Sequence, residues 1–258
     1  MPVKSPTDVI NTALDNGRTK AAIRTRRLII LSILAGAYIA LGGALSLIAG
    51  YGFPGSPAAL QKIISGCVFP IGLILIVILG GELFTGNNAM LIPAFMNRDY
   101  GFGAVIRNWT IVYFGNFIGA LAFAWLMVYL TGLTAGEPYH SAIIKVAETK
   151  VSLPWLTVFL RGIGANWCVC LAVWLAMSGR RLAEKMLACW LPVMAFVVLG
   201  YEHCIANMFF IPLGMMEGAD VGLGAFLTDN LVPATLGNIV GGALFVGMPH
   251  AMLHLKQK

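Results

Sequence analysis

Residues 200–210 read GYEHCIANMFF, and residues 80–87 read GGELFTGN. In the first stretch a glutamate, a histidine and an asparagine interrupt a run that is otherwise lipid-soluble from residue 186 to residue 216. Ionisable groups at such depth are costly and mark places where something polar has to cross. Laid over each other at an offset of 120, the two stretches share glycine at 80/200, glutamate at 82/202 and asparagine at 87/207. A second pair, NWTIVYFGNFIG (108–119) over NLVPATLGNIVG (230–241), shares Asn108/Asn230, Gly115/Gly237, Asn116/Asn238 and Gly119/Gly241 at an offset of 122. Chance matches in a biased composition do not produce near-equal offsets in two separate blocks. The chain is an internal duplication.

The totals say what is duplicated. With 59% hydrophobic and 11% charged residues, the 258-residue chain has too little polar surface to cover a soluble fold. Six apolar blocks occupy residues 28–49, 63–96, 108–130, 156–177, 186–216 and 230–253. A helix needs roughly 20 residues to cross the hydrocarbon core, so four blocks fit and the second and fifth are too long. Their polar residues, Glu82 to Asn88 in one and Glu202, His203 and Asn207 in the other, place a break in each. Interrupted backbone at membrane depth survives only where it is buried in protein or lines a watery cavity. Both breaks therefore point to a pathway.

Three spans per copy is an odd number, so the second copy enters the membrane from the opposite side. The expected fold is an all-α membrane protein: six transmembrane helices in an inverted 3+3 repeat with broken second and fifth helices. In such architectures the substrate site lies near the midplane, with half-helix N-termini turned toward it, and those positive dipole ends favour an anion. Thirteen lysines and arginines fall on the side of the N-terminus against three or four on the other, which predicts both termini in the cytoplasm of a multi-pass inner-membrane protein. The net charge of +6 is thus read as topology, not as nucleic-acid binding.

The domain expectation is a cytoplasmic amphipathic segment at 1–27, a six-span transport domain at 28–255 with repeats at 28–130 and 156–253, and a tail at 256–258. Ser5-Pro6-Thr7-Asp8 is a helix start, and Val9, Ile10, Ala13 and Leu14 share one face of the helix that follows. The five cysteines are odd in number, form no C-x-x-C and lie in apolar runs, so they read as packing residues. His250 and His254 have i, i+4 spacing without a further ligand and read as interfacial. Gly115-x-x-x-Gly119 and Gly237-x-x-x-Gly241 allow close helix approach, within a protomer or between protomers.

GGELFTGN, GANWCVCLAVWLAM, GYEHCIANMFFIPLGM and NLVPATLGNIVGG, in this order across six spans, resemble the formate/nitrite transporter family. The resemblance implies an aquaporin-like protomer with its own pore, assembled as a homopentamer, that passes small monovalent anions or their conjugate acids without a cofactor. It implies that His203 is the central pore histidine and Thr85, on the loop breaking span two, its partner. Glu202 and Asn166 are implied to orient or tune the histidine, with Asn238 in support. Phe69, Leu73 and Phe196 are implied as the outer constriction, Leu83, Phe84 and Val169 as the inner one, and Lys150 as the lysine of the outer vestibule. Cys204 and Gly86 depart from the family pattern, which bears on fine selectivity. The span-five motif is nearer the formate branch, while a nitrite or hydrosulfide channel shares most of it.

Histidine suits the chemistry because its unperturbed pKa lies near operating pH and it can lend a proton to a carboxylate that would otherwise cross bare. The expected function is pH-dependent transport of formate, with His203 either relaying a proton or anchoring the anion. A membrane-embedded haem or metal redox protein is the competing class, although His203 is the single histidine deep in a span. A water or glycerol channel would carry paired Asn-Pro-Ala, and Asn87 and Asn207 are followed by Asn88-Ala89 and Met208-Phe209.

Overall fold

The computed structural model describes residues 3–255, so the expected tail at 256–258 lies outside the described residues. It is all helical. Helix α1 (Pro6–Ala22) opens on Ser5, whose hydroxyl accepts the Asp8 N–H while the Asp8 carboxylate accepts the Ser5 N–H, a reciprocal cap. That hydrogen bonding holds the Asp8 carboxyl below its ordinary pKa. Spans follow as α2 (Thr25–Tyr51), α3 (Ala58–Leu79), the half-helix α4 (Phe84–Met90) with α5 (Ile92–Met96), and α6 (Phe102–Tyr129). The second copy runs α7 (Tyr139–Val151), α8 (Trp155–Ser178), α9 (Leu182–Val198), the half-helix α10 (Cys204–Met216) and α11 (Leu223–His254).

Both long apolar blocks break, and by the same device. Helix α3 ends at Gly80 and α9 just before Gly200, glycines with φ of 82° and 69° that no branched side chain adopts cheaply. Three residues outside any helix follow each glycine, the last of them extended, and a half-helix then restarts at Phe84 or Cys204. The breaks are shorter than the sequence predicts. Thr85, Gly86, Asn87 and Asn88 lie within α4, not on a loop, because an asparagine from the next span supplies the missing cap. Asn116 Oδ1 accepts the Phe84 N–H at 2.9 Å, and Asn238 Oδ1 accepts the Cys204 N–H at 2.9 Å. The other end of each amide donates to two carbonyls: Asn116 to Ser32 and Glu82, Asn238 to Gly162 and Glu202.

The duplicated glycines let these spans meet. A Cβ on Gly119 would collide with the Ile33 carbonyl, and one on Gly241 with the Ile163 carbonyl, so both motifs serve close approach within the protomer, α6 on α2 and α11 on α8. Tyr113 and Thr235, related by the offset of 122, hydrogen-bond to each other at 2.9 Å across the line where the repeats meet.

The terminal helix rests on the spans through the face that the sequence assigns it. The apolar face of α1, with Val9, Ile10 and Ala13, is buried with Met90, Cys170, Trp174, Met177 and Val246 of the spans. Gly17 permits the contact, since a Cβ there would lie 2.9 Å from Ala94 Cβ and from the Met90 carbonyl. Helix α1 is thus packed on protein, against both repeats, and α7 is packed on α10, where a Cβ on Gly214 would collide with Ala147.

Candidate functional site

Two vestibules approach the centre from opposite faces. The proximal one, on the α1 side, has a volume of about 360 Å³ and is lined by Lys20, Glu82, Leu83, Leu73 and Val173. The distal one, on the α7 side, has a volume of about 450 Å³ and is lined by Lys150, Glu202, Phe69, Phe196 and His203. His203 stands at the inner end of the break before α10, 2% exposed. The Ala206 N–H donates to His203 Nδ1 at 3.1 Å, so the ring caps its own half-helix. A nitrogen that accepts a hydrogen bond carries no proton, which places the proton of the neutral ring on Nε2. Nε2–H then donates to Thr85 Oγ1 at 3.0 Å, and the Thr85 hydroxyl retains its own proton for another acceptor. Phe196 stacks on His203 at 5.8 Å, and Phe69 meets Phe196 edge to face at 5.7 Å, forming a row of rings at the distal approach.

Each vestibule holds a buried carboxylate with the same set of partners. Glu82 takes Lys20 at 2.7 Å and Asn87 at 2.7 Å, and Asn87 reaches on to Asn108 at 2.9 Å. Glu202 takes Lys150 through both oxygens at 3.0 Å and Asn207 at 2.7 Å, and Asn207 reaches on to Asn230 at 2.7 Å. Asn108 donates to the Lys20 carbonyl and Asn230 to the Lys150 carbonyl, so each lysine is held at both ends. A buried carboxylate that is paired and hydrogen-bonded on all sides can stay ionised without leaving an uncompensated charge. Both pairs are therefore neutral overall, and the anion-facing charge of each vestibule comes from other residues.

The residues implied by resemblance are brought together in part. His203 and Thr85 meet. Glu202 and Lys150 form one ion pair beside the distal path, and neither Glu202 nor Asn166 bonds the imidazole. Asn166 instead donates to the Thr85 carbonyl at 3.1 Å and to the Asn238 carbonyl at 2.6 Å, fixing the threonine. Leu73 lines the proximal vestibule beside Leu83, one turn deeper than Phe69, and not the distal approach. Phe84 lines neither vestibule: its ring lies against Tyr113 at 4.9 Å and Trp109 at 6.2 Å because α4 turns that face to α6. Val169 is buried on α8, three residues from Asn166, and also lines neither vestibule. Sequence reasoning does not single out Lys20, Asn108 or Asn230 as site residues. The signal for Lys20 is its offset of 130 from Lys150, which Ser32/Gly162 and Leu31/Arg161 share.

An inverted repeat with two capped half-helices, two vestibules and one histidine between them defines a multi-pass membrane protein of the channel or transporter class. The family description "Formate/nitrite transporter" matches residues 7–252. The chain belongs to the formate/nitrite transporter family and is a channel or transporter, not an enzyme. It is 39% identical to "Probable formate transporter" of Methanothermobacter thermautotrophicus over 98% of both chains. It is 35% identical to "Formate channel FocA" of Escherichia coli (strain K12), over 98% of this chain and 95% of that one. Among solved structures, "FNT family ion channel" superposes with a TM-score of 0.87 at 31% identity, covering 95% of this chain and 98% of the other. "Pentameric formate channel with formate bound" superposes with a TM-score of 0.79 at 34% identity, covering 90% and 98%.

Proposed function

We propose that each protomer conducts formate across the inner membrane, past His203, with a proton accompanying the anion. The single observation that carries the reading is the His203–Thr85 pair, 3.0 Å apart, placed between the two vestibules. The names of the relatives, several of them formate channels or transporters, support formate over nitrite or hydrosulfide.

The approach to the ring is apolar, formed by Phe69 and Phe196 on one side and Leu73 and Leu83 on the other. A bare carboxylate entering such a constriction costs up to about 20 kcal/mol in the idealised limit and several kcal/mol after relaxation. Protonating a carboxylate whose acid has a pKa near 4 costs roughly 4 kcal/mol at pH 7. The neutral acid is the cheaper species. Formate takes the place of Thr85 as acceptor of Nε2–H, while the Thr85 hydroxyl donates to its second oxygen. The ring gives up the Nε2 proton to formate and takes back at Nε2 a proton that enters with the anion from the distal vestibule, so that it ends in the tautomer in which it began, with Nδ1 still accepting the Ala206 N–H. Formic acid then crosses the leucine side and loses its proton in the far vestibule.

Flux in proteoliposomes, with internal pH recorded, tests the relay. His203→Asn should lower formate uptake and uncouple what remains from proton movement. Unaltered formate-linked proton movement in that variant rejects the mechanism.

The same reading has both termini in the cytoplasm and assembles the protomers as a homopentamer. The charge asymmetry of the spans supports the first, and the similarity to a pentameric formate channel supports the second.

A further inference from the structure

We infer that Arg161, with Lys62 and Lys145, forms a carboxylate-docking station in the distal vestibule, and that a small dicarboxylate seats there and blocks the path. The inference deepens the transport reading above by assigning the class of anion recognised before His203.

The observations start from charge. Four cationic residues line the distal vestibule, Lys62, Lys145, Lys150 and Arg161, against one acid, Glu202. Lys150 is consumed by Glu202, and that carboxylate is further occupied by Asn207 and Asn230. The side chains of Arg161, Lys62 and Lys145 form no hydrogen bond or ion pair among the described residues. Three uncompensated cations therefore face one cavity.

Arg161 is the one that a structural role does not explain. Its carbonyl accepts the Glu202 N–H at 3.3 Å, which ties its position to the break beside the histidine. In the first repeat the carbonyl of Leu31 accepts the Glu82 N–H at 3.2 Å. The framework thus needs only a backbone oxygen there, and leucine supplies it as well as arginine. A guanidinium binds a carboxylate through two parallel N–H groups, a geometry that lysine cannot copy. It is partly buried, where exclusion of water strengthens such a pair.

The distal vestibule, of about 450 Å³, has room for an anion larger than formate. Lys62 and Lys145, both exposed at the rim, give a second carboxylate its counter-charge. A dicarboxylate held at both ends cannot pass the Phe69–Phe196 rings without losing both partners.

The test uses malonate and the full chain. Calorimetric titration of malonate into detergent-solubilised protein, at ionic strength matched with chloride, should give saturable binding. Arg161→Lys should weaken it roughly tenfold by losing the forked contact, and Arg161→Met more, while Lys62→Gln/Lys145→Gln should weaken malonate more than acetate. In proteoliposomes malonate should raise the half-saturation concentration for formate in the wild type and not in Arg161→Met. Absence of malonate binding to the wild type, or unchanged affinity in Arg161→Met, overturns the station; Arg161→Lys binding as the wild type does overturns the forked recognition. If the wild type conducts no formate, the transport reading falls, while the titration still reports on the station.

Discussion

His203 does two things with two nitrogens. Nδ1 ends the helix it precedes, and Nε2 faces the Thr85 hydroxyl. The choice of threonine follows from this: the position needs an acceptor for Nε2–H and a donor for the substrate, and a hydroxyl is the smallest group that is both. Thr85→Val keeps the shape and removes both functions, leaving a buried N–H without a partner, a loss of about 1–3 kcal/mol. Formate flux should fall tenfold or more in Thr85→Val and stay near the wild-type rate in Thr85→Ser, measured as initial uptake into proteoliposomes. The importance of His203 is legible in the sequence because an imidazole in an apolar run has few reasons to be there. Its tautomer is not, since that depends on Ala206 presenting its N–H, a consequence of the half-helix starting where it does.

Among the helices, one device is used twice. A left-handed glycine stops a helix, three non-helical residues follow, and an asparagine from the following span starts the half-helix again. The span carrying that asparagine reaches the break with its backbone against the first span of its own repeat, an approach that Gly119 and Gly241 allow. Gly241→Val inserts a branched side chain against the Ile163 carbonyl and pushes α11 off α8, withdrawing Asn238 from the Cys204 N–H. Overpacking costs typically about 1–3 kcal/mol, and the lost cap and unpaired carbonyls add to it. The thermal midpoint in detergent should drop by several degrees in Gly241→Val and by a similar amount in Gly119→Val. The duplicated glycines and asparagines are readable as a pattern. That Glu202 and Asn166 serve the backbone and the lysine, not the imidazole, is not, because spacing reports which residues share a repeat and not which atoms meet.

The whole protomer carries many large apolar side chains on its surface, among them Leu34, Phe114, Ile118, Trp125, Leu160 and Leu191. Lipid accounts for such a surface, and so does a neighbouring copy. On the pentamer proposed above, native mass spectrometry from detergent should give five times the chain mass of 27.6 kDa, and a monomer as the dominant species under mild conditions would reject that assembly.

The class, the number of spans, the inverted duplication and the place of both breaks can all be read along the chain. They follow from hydropathy and from repeated residue types, which are local properties. Folding in three dimensions was needed to learn that α1 packs on protein, that Lys20 answers Lys150, that Leu73 lines the proximal vestibule and Phe84 neither vestibule, and that the Arg161 side chain forms no ion pair among the described residues. Each depends on which side of a helix turns toward a partner distant in the chain, and no periodicity records that.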